Sequence, residues 1–294
     1  MKRLLTSLLI VSLFFSVRAI SPYIMVGELQ GDMKTIEATI SEALSSAGFT
    51  ILGSYNPSNK SELRVIVYTS DDLKKYCQMA DDRGMLAAAL KIGLRERKGV
   101  VQVSMLNPEY LFYVYLRDAM DKAALKSGLE KVNGNAIAAM RTIGTSMEAF
   151  GGDLGKEDLK KYRYMMGMPR FDDPVTLREF SSFQQGLSTI SRNLDAGKGN
   201  TVKVFEIIDE TKQVALIGVG LLDPDKGEAH FLSIIGEKNV AAMPYEIIIQ
   251  GNTATMLHGR FRFASHWPEL TMGTFTKIMS SPGDVEEFLK ALTE

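Results

Sequence analysis

The chain has 294 residues, 45% hydrophobic and 23% charged, with 34 basic against 35 acidic side chains, three His and a single Cys. A near-neutral charge argues against nucleic-acid binding, which rests on neutralising phosphates, and one Cys excludes an intrachain disulfide. Three His leave few candidates for triad or His-rich metal chemistry.

In chain order, Lys2 and Arg3 precede an apolar run from Leu4 to Phe15, too short to span a ~30 Å hydrocarbon layer. Val17 and Ala19 are the small residues at −3 and −1 of a cut after Ala19. This is the pattern of a secretory signal peptide over 1–19, and it predicts a periplasmic or secreted protein. Loss of Lys2, Arg3 and Arg18 would leave 31 basic against 35 acidic residues, a formal charge of −4. No later apolar run approaches ~18 residues, so no integral membrane span is expected after cleavage.

"YIMVGEL" reads as a strand. The residues 31–49 form a helix with its stripe at Met33, Ile36, Ile40 and Leu44, capped by Asp32 and ended by Gly48. Strands "FTILGSY" and "ELRVIVY" flank the "NPSNKS" turn. A capping box from Thr69 to Asp72 opens a helix interrupted at Gly84, in which Cys77 faces apolar neighbours as an inert buried thiol. "GVVQVSML" and "YLFYVYL" read as a hairpin about "NPE". Leu125, Leu129, Val132, Ala136, Met140, Ile143, Met147 and Phe150 step by three or four, predicting helix over 117–150, and "GGDLGKED" reads as a linker.

The second half repeats the order. Pro174 suits the first turn of a helix running to Leu194. "VKVFEII" and "VALIGVGL" are strands, "KGEAHFLSIIG" a short helix, and "YEIIIQGNTATMLHGRFRFA" a hairpin turning at Gly251 and Asn252, before a closing helix. The expectation is an α+β fold of two similar halves, each helix-strand-strand-helix-strand-strand, with mainly antiparallel sheets covered by helices. The predicted units are 20–116, a helical connector at 117–173, and 174–294.

"TIEATISEALSSAGFTILGSY", "RVIVYTSDDLKKY" and "AALKIGLRERKGVVQVSMLNPEYL" resemble the bacterial domain-of-unknown-function 302 family over about residues 23–116, with Gly48, Phe49, Asn107 and Pro108 as the matching positions. The family's "CNP" stretch is replaced by "YTSDD". The resemblance implies a fold and carries over no active site.

The chain lacks a G-x-G-x-x-G after a strand, a P-loop, a G-x-S-x-G elbow and H-E-x-x-H. Met165, Met166 and Met168 are thioethers of the kind that bind copper, yet Met also fills cores. Asp223, Asp225 and Glu228 resemble a calcium loop with its Gly one place early. No metal or cofactor is expected. In "TMLHGRFRFASHW", a strand would send His258, Arg260 and Arg262 to one face, with Trp267 beside them. Two guanidiniums so spaced suit a carboxylate or phosphate, but a wet sheet face with ion pairs is the commoner explanation. The functional expectation is therefore a non-enzymatic module binding a small anionic or amphipathic ligand through His258, Arg260, Arg262 and Trp267. The alternatives are an envelope assembly module offering the 117–150 stripe to a partner protein, and an acid–base enzyme pairing His258 with Asp223 or Glu228.

Overall fold

A computed structural model describes residues 19–294; the stretch 1–19 read as a signal peptide lies outside the described residues, save for Ala19. The elements are β1 (Ala19–Ile20), β2 (Tyr23–Gln30), α1 (Met33–Ser46), β3 (Thr50–Tyr55), β4 (Leu63–Thr69), α2 (Asp71–Cys77), β5 (Leu90–Arg97), β6 (Val100–Leu106) and α3 (Pro108–Leu116). There follow α4 (Ala123–Arg141), β7 (Glu148–Phe150), β8 (Leu154–Gly155), α5 (Lys156–Lys160), β9 (Val175–Glu179), α6 (Phe183–Asp195), β10 (Thr201–Asp209) and β11 (Val214–Leu221). The chain closes with α7 (Glu228–Ile235), β12 (Tyr245–Gln250), β13 (Thr253–Met256), α8 (Gly259–His266), α9 (Met272–Phe275) and α10 (Ser281–Ala291).

The fold is α+β. Two antiparallel sheets run β3-β4-β5-β6-β2-β7 and β10-β11-β12-β13-β9. The first five strands of one and all five of the other share connectivity and order, so each half is strand-helix-strand-strand-helix-strand-strand-helix. Matched bulges at Leu52 in β3 and Val204 in β10 align the halves. In that alignment Val67 matches Gly218, and their strand partners Lys91 and Glu246 match each other. These two equivalents form an ion pair. Edge strands β3 and β10 also meet, so closely that a Cβ on Gly53 would lie 2.1 Å from the Val204 carbonyl oxygen. Equivalents touching equivalents is the mark of an isologous interface, here formed within one chain.

Several elements differ from the reading of the sequence. "YLFYVYL" is not a strand but α3, started by Pro108 after Asn107, whose side chain accepts from the Glu109 N–H. Residues 259–266 are not a strand but α8. These two helices are equivalent, and both are buried on nearly every side. A helix enclosed all round has no polar face, so its 3.6-residue period vanishes, and aromatic content reads as strand. Residues 175–179 form edge strand β9, not the first turns of a helix, and the helical pattern that opens at Thr69, taken in the sequence to run on to residue 94, ends with β5 in place of its last turns. The N-cap of α2 is Ser70, accepting from Leu73 N–H, not Thr69. The helix expected over 117–150 stops at Arg141, and Glu148–Phe150 joins β2 instead. The "GGDLGKED" stretch is likewise structured: β8 pairs with β1, and Asp153 accepts from the Ser21 hydroxyl.

Candidate functional site

The segment "LHGRFRFASHW" builds the centre of the molecule. His258 is the N-cap of α8, its Nδ1 accepting from the Arg260 N–H. Gly259 lies against Pro282, where a Cβ would come within 2.7 Å of the backbone. On a helix, residues two apart face opposite ways, so His258, Arg260 and Arg262 do not share a face as a strand would require. Arg260 is exposed, Arg262 is 1% exposed and His258 lies half-buried. Partial burial, then the neighbouring Arg260, lower the His258 pKa; its acidic neighbours are Glu286 and Asp173. Asp223 instead turns back on the N–H groups of Asp225 and Lys226, and Glu228 is engaged elsewhere.

The C-terminal carbonyls of α8 would be orphaned in the core. Three tyrosines from outside the helix satisfy them: Tyr162 O–H donates to Ala264, Tyr110 O–H to Ser265 and Tyr23 O–H to His266, at 3.0, 2.9 and 2.8 Å. Two of these come from the first half, which locks α8 across the junction.

Arg262 enters that junction. Its Nε lies 3.4 Å from Glu246 Oε2, and its Nη2 donates to the carbonyls of Ala242 and Pro244. Lys91 reaches Glu246 from the other sheet. All three side chains are at most 3% exposed. Burial, opposed by Glu246, brings the Lys91 pKa down to about 8. Around the triad, Arg262 Nη1, Tyr115 O–H, Tyr245 O–H and His266 Nε2 find no protein partner. Burial and the two cations hold His266 neutral. The sequence signal for Lys91 and Glu246 was a single charge inside each of two apolar strands, "AALKIGL" and "YEIIIQ".

A second junction contact centres on Glu228, which is fully buried. It accepts from Tyr55 O–H at 2.7 Å and Ser58 N–H at 2.9 Å in the first half, and from Leu221 N–H at 3.2 Å in its own. Burial raises its pKa to about 7 against the pull of these three donors.

On the outer side of α8, Arg260 stands beside a narrow apolar slot of ≈ 40 Å³, lined by Met168, Phe261, Phe263, Ala264, Met272 and Phe275 among others. Tyr164 also lines it, with its hydroxyl turned onto the Leu270 carbonyl. Met165, Met166 and Met272 are exposed, the second by 86%. Trp267 is buried at the end of α8, its ring 5.7 Å from that of Phe263. Of Met165, Met166 and Met168, it is Met168 that lines the slot. Among the described residues no group of three or more His, Cys, Asp or Glu is placed to hold a metal ion.

The α4 stripe of Leu125, Leu129, Val132, Ala136 and Met140 is buried, and the helix packs on α1, α2 and α3. Among the described residues no helix is long and apolar enough to cross a membrane.

No family model matches the chain, and no curated protein matches it. A solved structure described as an uncharacterized conserved protein DUF302 from Bacillus stearothermophilus aligns at 12% identity and a TM-score of 0.34, over 40% of this chain and 95% of that one.

Proposed function

We propose that this chain is an exported, non-enzymatic binding module, and that its ligand is an amphipathic molecule with an anionic head. The observation that carries the reading is the apolar slot with Arg260 at its side. Aromatic and thioether walls accept a hydrocarbon segment, methionines adapt to its shape, and Arg260 pairs with the head. Of the three groups expected to grip an anion, this assigns the role to Arg260 alone. Arg262 is committed to Glu246 and His258 to capping α8. Export rests on the leader pattern at 1–19.

The test uses the only Trp, which packs on a wall of the slot. Octanoate, decanoate and 1-decanol are titrated below micelle-forming concentrations, with Trp267 emission as readout. Burying each methylene contributes about 0.8 kcal/mol, so decanoate binds roughly 15-fold tighter than octanoate. An exposed ion pair contributes about 0.2–1 kcal/mol, so Arg260→Ala weakens decanoate about 1.5- to 5-fold and leaves 1-decanol unchanged. Ala264→Phe fills the slot and abolishes binding. Absence of a saturable signal, or an Ala264→Phe variant that binds like wild type, refutes the reading.

A further inference from the structure

The segment 161–171, "KYRYMMGMPRF", carries three basic residues and no acidic one, in a chain whose charges nearly cancel. It makes a tight turn: the Met168 N–H donates to the Met165 carbonyl at 3.1 Å, and Gly167, third in the turn, has φ of +81°. Turn tips are ordinarily polar or glycine. Here Met166 stands at the tip, 86% exposed, with Met165 beside it at 43%. A Cβ on Gly167 would meet nothing within 4 Å, so that side of the tip is open. Two hydroxyls fasten the base of the turn, Tyr162 donating to the Ala264 carbonyl and Tyr164 to that of Leu270.

Lys161, Arg163 and Arg170 are exposed, as is Arg260 beside the slot that Tyr164, Met168 and Pro169 help to line. None of the four has an ion-pair partner within 4.0 Å among the described residues. Of the acidic groups that flank the segment, Asp158 lies back on α5, Asp172 is taken by Arg117, and Asp173 accepts from the Arg170 N–H. Thioethers held out in water, with unpaired cations around their base, match the layering of a bilayer surface, where hydrocarbon lies beneath a plane of phosphates. A stable protein partner would need a patch of about 800 Å² on this side, and two methionines on a projecting turn do not make one.

We propose that this turn docks the protein onto an anionic lipid bilayer, Met165 and Met166 entering the headgroup boundary while Lys161, Arg163, Arg170 and Arg260 meet lipid phosphates. The docking stands on the turn and its charges, whether or not the slot takes a ligand.

The full chain is sedimented with sucrose-loaded vesicles of phosphatidylcholine and phosphatidylglycerol in equal parts, and with phosphatidylcholine alone. Each basic group near an anionic surface strengthens binding roughly fivefold. Four of them give half-binding at roughly 1 mM accessible lipid, and phosphatidylcholine alone binds at least tenfold more weakly. Arg163→Gln with Arg170→Gln weakens binding roughly 25-fold, and Met165→Ser with Met166→Ser about fivefold or more. All four positions are exposed, so the variants keep the fold. Decanoate titration of Trp267 emission is the same in the methionine variant as in wild type, because neither residue lines the slot. The inference is overturned if both vesicles sediment the chain alike, or if neither does. It is overturned equally if both double variants bind like wild type, as they would with the apolar run at 4–15 as the contact. A concentration-dependent dimer that the methionine variant loses would assign the turn to a second copy and overturn it too.

Discussion

Removing Glu246 tests the junction most directly. The buried triad holds two cations and one carboxylate. Glu246→Gln leaves Lys91 and Arg262 in the core without their shared counter-charge. Removing one partner of a buried pair costs about 3–5 kcal/mol, because the uncompensated charge stays buried. Lys91→Met acts differently, since Glu246 and Arg262 remain as a matched pair, and an apolar chain of similar length fills the space. Its cost is expected below about 1.5 kcal/mol. In the double variant only Arg262 stays charged, still bonded to the Ala242 and Pro244 carbonyls. The double change therefore costs less than the sum of the singles, by about 1–3 kcal/mol of coupling. Urea unfolding at pH 7 reads all four corners of the cycle, provided the m-values agree. If Glu246→Gln is no worse than Lys91→Met, or if the two changes simply add, the triad is not what joins the halves electrostatically.

The remaining predictions concern protons and a thiol. Glu228 has a folded pKa raised to about 7 from an ordinary 4.5, so between these values the folded state binds more protons than the unfolded one. Its contribution is fully present below pH 4.5 and lost as pH rises through 7. Glu228→Gln should remove that part of the pH dependence in a series of urea titrations, and an unchanged slope would refute the assignment. Lys91 has a folded pKa lowered to about 8 from 10.5, so stability should rise between these values as the folded state releases its proton first; Lys91→Met should abolish that rise. Cys77 is fully buried, and burial pushes its thiol pKa well up. It should resist an aromatic disulfide reagent until urea unfolds the chain; stoichiometric reaction in the native state would contradict its position.

Much of the fold was legible because much of it obeys local rules. Helix α1, with Asp32 accepting from the Thr35 N–H and Ile36, Ile40 and Leu44 inward, has one wet face and so shows its period. Strands β3, β4, β10 and β11 lie between turn signals, and Cys77 sits at helical spacing from Leu73. The candidate site was less legible for a definite reason. His258, Arg260 and Arg262 alternate with Gly259, Phe261 and Phe263 as a half-buried strand would, and the residues are equally compatible with a helix surrounded by protein. Which one forms depends on Pro282 against Gly259 and on tyrosines at positions 23, 110 and 162 waiting for the helix carbonyls.

By itself, the sequence determined the α+β class, the helix-strand-strand-helix run within each half and the apolar stripes, because each follows from neighbours a few residues apart. Tertiary structure alone decided that the two halves meet through equivalent strands, that Lys91 finds Glu246 and Arg262, and that Arg260 is exposed while Trp267 is buried. Lys91 and Glu246 are separated by 155 residues. Their meeting is governed by how two sheets pack, and no local periodicity records that.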